Sequence, residues 1–233
     1  MGKPTQKRLV RKLDLELFLS QVGPNPFPQA NLEQYTISES VAATMLWISA
    51  YSHNNIIGKS ILDLACGTGR LALGAAFLGA KEVVGIDIDR TAIESACKNS
   101  KKTGCHGFVQ WITGDIRAIT GKFDTVLQNP PFGIQKRAAD RKFLEKALEV
   151  GNVVYSLHNH PTVDNHLSKL LEKSGENMVQ IEASPFMKRF VEERGGTVKS
   201  VFSLLMTIPK IFDFHTKTKH KIIVDLYVIG KKI

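Results

Sequence analysis

The 233-residue sequence is poor in cysteine and has no long apolar run. Its three cysteines, Cys66, Cys97 and Cys105, are an odd number and lack the paired spacing of zinc ligands. This excludes a disulfide framework and indicates a reducing compartment. No apolar stretch reaches the roughly 18 residues of a membrane span, and no apolar core follows the basic amino terminus as in a signal peptide. We therefore expect a soluble, cytoplasmic protein.

Acidic residues are also relatively few. The sequence has 22 Asp and Glu against 31 Lys and Arg, for a formal net charge of +9, and this balance favours a polyanionic partner such as a nucleic acid. Two phosphate-binding patterns are missing as well. Ala72 interrupts the dinucleotide fingerprint G-x-G-x-x-G after Gly67 and Gly69, and no P-loop Gly-Lys-Ser/Thr occurs. A phosphate-rich cofactor is therefore disfavoured.

From residue 56 onward the chain alternates short apolar runs with helical patterns. The predicted strands are Ile61–Ala65, Glu82–Asp87, Gly107–Ile112, Phe123–Gln128 and Asn152–Leu157. The predicted helices between them are Arg70–Leu78, Thr91–Lys102 and Arg141–Val150. Strands and helices that alternate in this way form right-handed crossovers. The pattern therefore predicts an α/β fold with a doubly wound, mostly parallel sheet and helices on both faces.

The two ends of the chain have a different character. Helices are expected over 5–20 and 38–52 at the amino terminus, and over 163–174 and 185–193 near the carboxyl terminus, while 177–183 could be a short strand. The runs 198–208 and 221–229 predict a long-looped hairpin that adds an antiparallel last strand to a seven-stranded sheet. We expect a single domain over 1–233, with a helical cap (1–55) and a core (56–233) that is enlarged around 159–184.

A glycine-rich turn follows the first strand, in Asp63-Leu-Ala-Cys-Gly-Thr-Gly69, and opens a helix. Glycine lets the backbone approach a ligand closely, and a helix amino terminus favours negative groups. Asp87 ends the second strand, where a carboxylate can accept both hydroxyls of an adenosine ribose. Asp89 is the competing candidate, although its position suits the N-cap of the next helix.

A third acid, Asp115, follows the third strand. Its carboxylate could bond an adenine amine between apolar walls from Ile88 and Ile116, although a simple Gly-Asp turn is the alternative. The carboxyl ends of parallel strands meet at one sheet edge, where ligands bind. Acids at that edge would repel a pyrophosphate and suit a cationic sulfonium. The expected cofactor is therefore S-adenosylmethionine.

An apolar segment leads directly into Asn129-Pro130-Pro131-Phe132. The Asn129 amide oxygen and the Pro130 carbonyl can accept both hydrogens of a planar exocyclic amine, which draws the nitrogen toward tetrahedral geometry and frees its lone pair. The prolines stiffen the loop and carry no competing N–H, and Phe132 can stack on a displaced base. An ordinary strand-ending turn is the alternative. The motif predicts methylation of such an amine.

Two groups of basic residues are expected near the same edge. They are Lys136, Arg137, Arg141 and Lys142 after the loop, and Lys217, Lys219 and Lys221 on the late hairpin. Both groups could contact RNA phosphates, and a solvated surface explains them equally well. His158 and His215 are interpreted as structural or substrate-contacting residues, because methyl transfer to an amine needs no strong base.

Together these motifs resemble those of class I, Rossmann-like, S-adenosylmethionine-dependent methyltransferases. Three further elements, Leu32–Tyr35, Val154–His158 and Phe214-His215 before Ile223–Asp225, narrow the resemblance. They are similar to elements of the methyltransferase-like protein five group, adenine-specific methyltransferases of small-subunit ribosomal RNA, and of its archaeal relatives. The resemblance covers nearly the whole chain. It implies an enzyme that methylates the exocyclic N6 amine of an adenine in structured RNA.

The resemblance also implies roles for particular residues. Gln34 would lie against the cofactor, and Asp63 with the turn Ala65, Cys66, Gly67, Thr68 and Gly69 would hold its methionine part. Asp87 would bind the ribose, and Asp115 with Ile116 would meet the adenine. Asn129 to Phe132 would grip the target base. A small zinc-ribbon activator protein would cover an apolar sheet edge near Phe108–Ile112, and the chain itself would hold no metal.

Three positions depart from the pattern of that group. Ala65 replaces a usual glycine, Ile37 stands where a threonine is expected, and the stretch 159–184 is longer than the group needs. Two other substrates keep the same chemistry, namely DNA amines and a protein glutamine, although Phe132 replaces the tyrosine typical of the glutamine enzymes. A non-catalytic RNA-binding assembly factor is a further alternative, which the intact Asn-Pro-Pro-Phe motif disfavours.

Overall fold

The computed structural model describes residues 9–29, 32–132, 139–162, 164–173, 178–209 and 219–232. Their strands form one sheet in the order β3-β2-β1-β4-β5-β8-β7-β6. The strands are β1 (Ser60–Leu64), β2 (Glu82–Asp87), β3 (Val109–Thr113), β4 (Phe123–Gln128), β5 (Gly151–Asn159), β6 (Met178–Ile181), β7 (Gly196–Pro209) and β8 (Lys219–Lys231). Strands β1 to β5 are parallel. The last strand, β8, is antiparallel to β5, as the sequence predicts.

The expectation of seven strands is wrong, because the sheet has eight. The additional strand is β6, which pairs antiparallel with Val201–Leu204 of β7. It belongs to the enlarged segment around 159–184. This segment therefore extends the sheet beyond the β7–β8 hairpin.

Helices cover both faces of the sheet, as predicted. They are α1 (Lys12–Leu19), α2 (Glu39–Trp47), α3 (Arg70–Phe77), α4 (Arg90–Lys102), α5 (Ala139–Val150), α6 (Asn165–Lys173) and α7 (Pro185–Glu192). One apolar core packs α1, α2 and α3 against one face, and a second core packs α5 and α7 against the other. In β1, Ile61 belongs to the first core and Leu62 to the second. Such burial on both faces is typical of a central parallel strand.

The first amino-terminal helix is shorter than the sequence predicts, whereas helical residues cover the predicted second range after Ser38. Helix α2 begins after Ser38, whose side chain accepts a hydrogen bond from the Val41 amide, and it changes into one π-helical turn over Ile48–Ser52. Helix α1 begins at Lys12. Residues 5–8 of the predicted first helix lie outside the described residues. Within the described parts, no helix is both long and apolar enough to cross a bilayer.

Arg70, the first residue of α3, ties the amino-terminal segment to the sheet. Its guanidinium donates to the Val22 carbonyl (2.8 Å) and to the Ile37 carbonyl, and it forms an ion pair with Glu39 (3.0 Å). Its side chain is only 7% exposed. Burial lowers the pKa of Arg70, and the nearby Glu39 charge counteracts that effect. One buried cation thus holds both ends of the segment 22–37.

We expect Arg70→Lys to lower the free energy of unfolding by about 2–4 kcal/mol, because one ammonium cannot replace the forked guanidinium and leaves buried acceptors unpaired. Urea unfolding measures this change. The control is Arg90→Lys, which alters an exposed ion pair with Glu94 and should change stability by less than about 0.5 kcal/mol. Equal losses of unfolding free energy in the two variants would contradict the role of Arg70 in holding the amino-terminal segment.

Candidate active site

A cavity of about 860 Å³ lies at the carboxyl ends of β1, β2 and β4. It brings together predicted site residues from widely separated parts of the sequence. Those that line it are Gln34, Asp63, Ala65, Cys66, Gly67, Thr68, Asp87, Ile88, Asp115, Ile116, Asn129 and Pro131. They meet because the carboxyl ends of neighbouring parallel strands share one sheet edge.

The turn between β1 and α3 has an unusual backbone. Ala65, Gly67 and Gly69 all lie in the left-handed region, with φ of 60°, 53° and 86°. The turn closes through a hydrogen bond from the Gly69 amide to the Cys66 carbonyl (2.8 Å). Glycine adopts this conformation freely, whereas an L-residue such as Ala65 does so at a cost of about 1–2 kcal/mol. Strain is therefore stored at Ala65, in the wall of the cavity.

Asp87 holds this turn from the end of β2. Its Oδ2 accepts a hydrogen bond from the Gly67 amide (2.8 Å), and its Oδ1 accepts one from the Asp89 amide (2.9 Å). Burial raises the pKa of Asp87, and the two amide hydrogen bonds oppose that rise. The carboxylate thus links the two strand ends from which the cavity is built.

Asp63 places a second carboxylate in the cavity. It is 1% exposed and accepts a hydrogen bond from the Ala72 amide (2.8 Å). Burial raises the pKa of Asp63 to about 7, with a further contribution from the Asp87 charge. Within the described residues, no Lys or Arg forms an ion pair with either acid. The cavity is therefore acidic and suits a positively charged ligand.

Gln34 joins the amino-terminal loop to the end of β2. Its Nε2 donates to Asp89 Oδ2 (2.8 Å), and its Oε1 accepts hydrogen bonds from the Gln29 amide (2.8 Å) and Asn25 Nδ2 (3.0 Å). Asp89 Oδ1 in turn accepts from the Thr91 amide (2.9 Å). Asp89 is therefore the N-cap of α4, as the sequence predicts.

Asp115 and the isoleucines form another wall of the cavity. Asp115 accepts hydrogen bonds from the Arg117 amide (2.8 Å) and from its guanidinium (2.9 and 3.0 Å), so it caps the short 3₁₀ turn Ile116–Ala118. The side-chain hydrogen bonds from Arg117 lower the pKa of Asp115. Ile88 is 59% exposed and adds apolar surface.

The Asn-Pro-Pro-Phe motif follows β4 directly. Asn129 Nδ2 donates to the Tyr35 carbonyl (3.4 Å), whereas Asn129 Oδ1 is buried and has no hydrogen-bond partner among the described residues. Pro131 lines the cavity, Pro130 is buried, and Phe132 packs against the first apolar core. A buried amide oxygen without a donor costs about 1–3 kcal/mol, so a ligand that supplies a donor is favoured there.

Some predicted residues are not brought into the cavity. Gly69, Pro130 and Phe132 do not line it, although each is adjacent in sequence to a residue that does. Arg141 lies over the ring of Phe186 at 4.6 Å from its centroid. Lys136, Arg137, Lys217 and His215 lie outside the described residues, as does the side chain of Lys219, the first residue of β8.

Sequence reasoning missed two features of the site. Helix α5 contributes Phe143, Glu145, Lys146 and Glu149 to the cavity wall, beside Lys142, which the sequence had placed near this edge. In addition, Trp111 of β3 fills the space beside two glycines. A Cβ at Gly69 would lie 2.4 Å from Trp111 Cη2, and one at Gly85 would lie 2.6 Å from Trp111 Cζ3. The glycine in the middle of β2 was the available signal, because strand glycines often mark close contacts.

The chain is similar in sequence and in structure to known proteins. The family described as methyltransferase small domain matches residues 38–173. The chain is 37% identical, over 96% of its length and 95% of the relative's, to an uncharacterized protein of Methanocaldococcus jannaschii. It is 32% identical to the rRNA N(6)-adenosine-methyltransferase METTL5 of Danio rerio, over 91% of this chain and 95% of that protein. The crystal structure of a candidate RNA methyltransferase from Pyrococcus horikoshii superposes with a TM-score of 0.80 at 34% identity, over 97% of this chain and 100% of that one.

A parallel sheet whose ligand cavity begins at a glycine turn after β1 is the architecture of class I methyltransferases. The family match extends over more than half of the residues, and the similar proteins span nearly the whole chain. The chain belongs to the methyltransferase small domain family, and the fold and family predicted from its motifs are confirmed.

Ala65 provides a test of the strained turn. We expect Ala65→Gly to raise the free energy of unfolding by up to about 1 kcal/mol, because relief of the left-handed strain exceeds the entropy that glycine adds to the unfolded chain. Chemical denaturation measures the change. In the control Ala147→Gly, within helix α5, the same substitution should destabilise by about 1 kcal/mol or more. A loss of stability in both variants would show that the backbone at Ala65 is not strained.

Proposed function

We propose that this protein transfers a methyl group from S-adenosylmethionine to the exocyclic N6 amine of an adenine in structured RNA, in particular small-subunit ribosomal RNA. The observation that carries the proposal is the oxygen of Asn129, which has no hydrogen-bond partner among the described residues and lies at an acidic cavity. An amine donor would meet an open acceptor there, in the wall of the same cavity as the carboxylates that suit a cation. The similarity to an rRNA N(6)-adenosine-methyltransferase over 91% of this chain supports the same substrate.

The residues of the cavity fit S-adenosylmethionine, which supplies an electrophilic methyl group on a cationic sulfonium when bound. Asp63 and the turn Ala65–Gly69 would hold its methionine part. Asp87 would accept hydrogen bonds from its ribose, while Ile88 and Ile116 would offer apolar walls to its adenine. Asp115 would accept from the adenine amine if its bonds to Arg117 rearrange. The acidic character of Asp63 and Asp87 favours a cation and disfavours a pyrophosphate.

The target amine is a poor nucleophile, because its lone pair is delocalised into the ring. Asn129 Oδ1 and the Pro130 carbonyl would each accept one of its hydrogens, which favours a tetrahedral nitrogen and exposes the lone pair. Both acceptors are held before substrate arrives, since two prolines fix the backbone of the loop. Phe132 would contact the unstacked base. No strong base is required, because the proton leaves only after the nitrogen has become cationic.

RNA and a protein partner complete the proposal. The net charge of +9 favours RNA, and Arg141 with Lys136, Arg137, Lys217 and Lys219 are the proposed phosphate contacts. β3 is an edge strand of the described sheet; Phe108, which directly precedes it, is 53% exposed, and Ile112 within it is 38% exposed. We propose that this apolar edge binds a small zinc-ribbon activator. The three free cysteines accord with action in the reducing cytoplasm.

The decisive experiment is transfer of labelled methyl from S-adenosylmethionine to ribosomal RNA taken from cells that lack this gene. We expect label in the small-subunit RNA, recovered as N6-methyladenosine after digestion. Label in DNA or in a release-factor glutamine would assign another amine substrate. RNA binding without any transfer would instead identify a non-catalytic assembly factor.

We expect Asn129→Ala to lower kcat by about 100-fold or more, because it removes one acceptor of the amine. The Kd for S-adenosylmethionine should stay within about threefold, since this residue contacts the substrate side. Single-turnover transfer and calorimetry measure the two quantities. Transfer at the wild-type rate would exclude the catalytic role of Asn129.

Asp63 makes cofactor affinity depend on pH. Its pKa is raised to about 7, so the acid loses its charge as pH falls through that value. A cationic ligand favours the ionised form, and its binding must therefore release a proton at low pH. We expect affinity to be full above about pH 8 and to decrease roughly tenfold per unit below pH 7, with no such decrease in Asp63→Asn. Calorimetry at several pH values measures this; a flat wild-type profile would be incompatible with it.

A further inference from the structure

Three buried polar side chains and one partly exposed carboxylate form a continuous hydrogen-bonded chain beside the Asn-Pro-Pro-Phe loop. Gln128 Nε2 lies 2.7 Å from Ser156 Oγ, Ser156 Oγ lies 2.8 Å from His158 Nε2, and His158 Nδ1 lies 3.1 Å from Asp140 Oδ2. Gln128 and Ser156 are fully buried, and His158 is nearly so. We call Gln128, Ser156, His158 and Asp140 the polar brace.

The two ends of the polar brace fix part of its donor and acceptor pattern. The Gln128 amide nitrogen can only donate, so Ser156 Oγ accepts from it. The Asp140 carboxylate can only accept, so His158 Nδ1 carries the hydrogen of that bond. Both ring nitrogens of His158 are thus held, which fixes the orientation of the ring. Its ring also meets Tyr227 edge-on, with centroids 5.4 Å apart.

The two ends of the brace lie on either side of the loop. Gln128 is the last residue of β4 and directly precedes Asn129, while Asp140 lies in the first turn of α5. Ser156 and His158 belong to β5, where Ser156 is the register partner of Gln128. The brace therefore connects the residue before the motif to the helix after it, through a strand of the sheet.

The energetics favour a positioning role for these residues. A buried polar chain costs desolvation that apolar side chains of the same size would avoid. The brace is also incompletely satisfied, because Gln128 Oε1 is buried without a partner among the described residues. Its hydrogen bonds do, however, fix directions in a way that apolar contacts cannot. Such a fixed direction is required next to Asn129, whose oxygen must face a target amine.

We propose that the polar brace sets the position of the Asn129–Phe132 loop, with His158 as its central positioning residue. This inference rests on the proposed function, because it concerns the same loop. None of the four residues of the brace lines the cavity. Its removal should therefore lower the rate of methyl transfer while leaving cofactor affinity unchanged.

The first measurement is independent of activity. Hydrogen exchange of the Asn129 and Phe132 amides reports how firmly the loop is held. In His158→Ala we expect these amides to exchange at least about tenfold faster, whereas amides in the middle of β1 should not change. Unaltered exchange at Asn129 and Phe132 would overturn the proposal, whatever the wild-type protein catalyses.

Kinetics give the second measurement. We expect kcat of His158→Ala to fall about 10- to 100-fold, since small displacements of a positioned group have effects of this size. The Kd for S-adenosylmethionine should stay within about twofold. Asp140→Asn keeps an oxygen that accepts from His158 Nδ1 and should retain most of the rate, whereas Asp140→Ala should resemble His158→Ala. Equal rates in the two Asp140 variants would contradict the brace.

His160 provides a matched control. It is also mostly buried, and its Nδ1 lies 2.8 Å from Asp225, which accepts a hydrogen bond from Ser203 (2.6 Å). These bonds lead to β7 and β8 and not to the loop. His160→Ala should therefore lower stability without changing loop exchange or kcat. If His160→Ala slows methyl transfer as much as His158→Ala does, then a general loosening of the sheet edge, and not the polar brace, explains the loss of rate. If the wild-type protein transfers no methyl to RNA, the proposed function is wrong. The exchange data would still test whether the polar brace positions the loop.

Discussion

The hydrogen bond between the Gly67 amide and the Asp87 carboxylate joins the two strand ends that form the candidate site. The carboxylate can be buried there because backbone amides solvate it in place of water. Asp63 is buried nearby, with one amide as its hydrogen-bond donor. The Asp87 charge adds to the raised pKa of Asp63, and two buried acids in one cavity favour a cation beside them. The burial of these two acids therefore favours a positively charged ligand.

The net charge of the whole protein has the opposite sign. It is +9, while the cavity contains Asp63 and Asp87. A basic exterior attracts a polyanion over long distances, whereas a small acidic cavity selects a cation at short range. This separation allows two reactants of opposite charge to approach different parts of one surface.

Local patterns predicted much of the fold and of the site. The alternation of apolar strands and helices predicted β1 to β5 in their order along the chain. The residues at the strand ends predicted Asp63, Asp87 and Asn129 as site residues, and these three line one cavity. The short strand β6 lies within 177–183, for which the sequence had a short strand as a candidate, but its pairing with β7 could not be predicted from four residues. Gly85 signalled a close contact within β2, whereas its partner Trp111 could not be identified. That contact joins three elements and leaves no repeating pattern in any of them.

Arg70 has a consequence for the wall of the cavity. Its guanidinium bonds the carbonyls of Val22 and Ile37, which are the two ends of one loop. Between those ends, side-chain hydrogen bonds join Asn25 and Gln34 to Asp89. Asn99 and Asn129 also bond the backbones of Gly23 and Tyr35. A change at the buried guanidinium would therefore be transmitted to Gln34 and Asn129, which line the cavity.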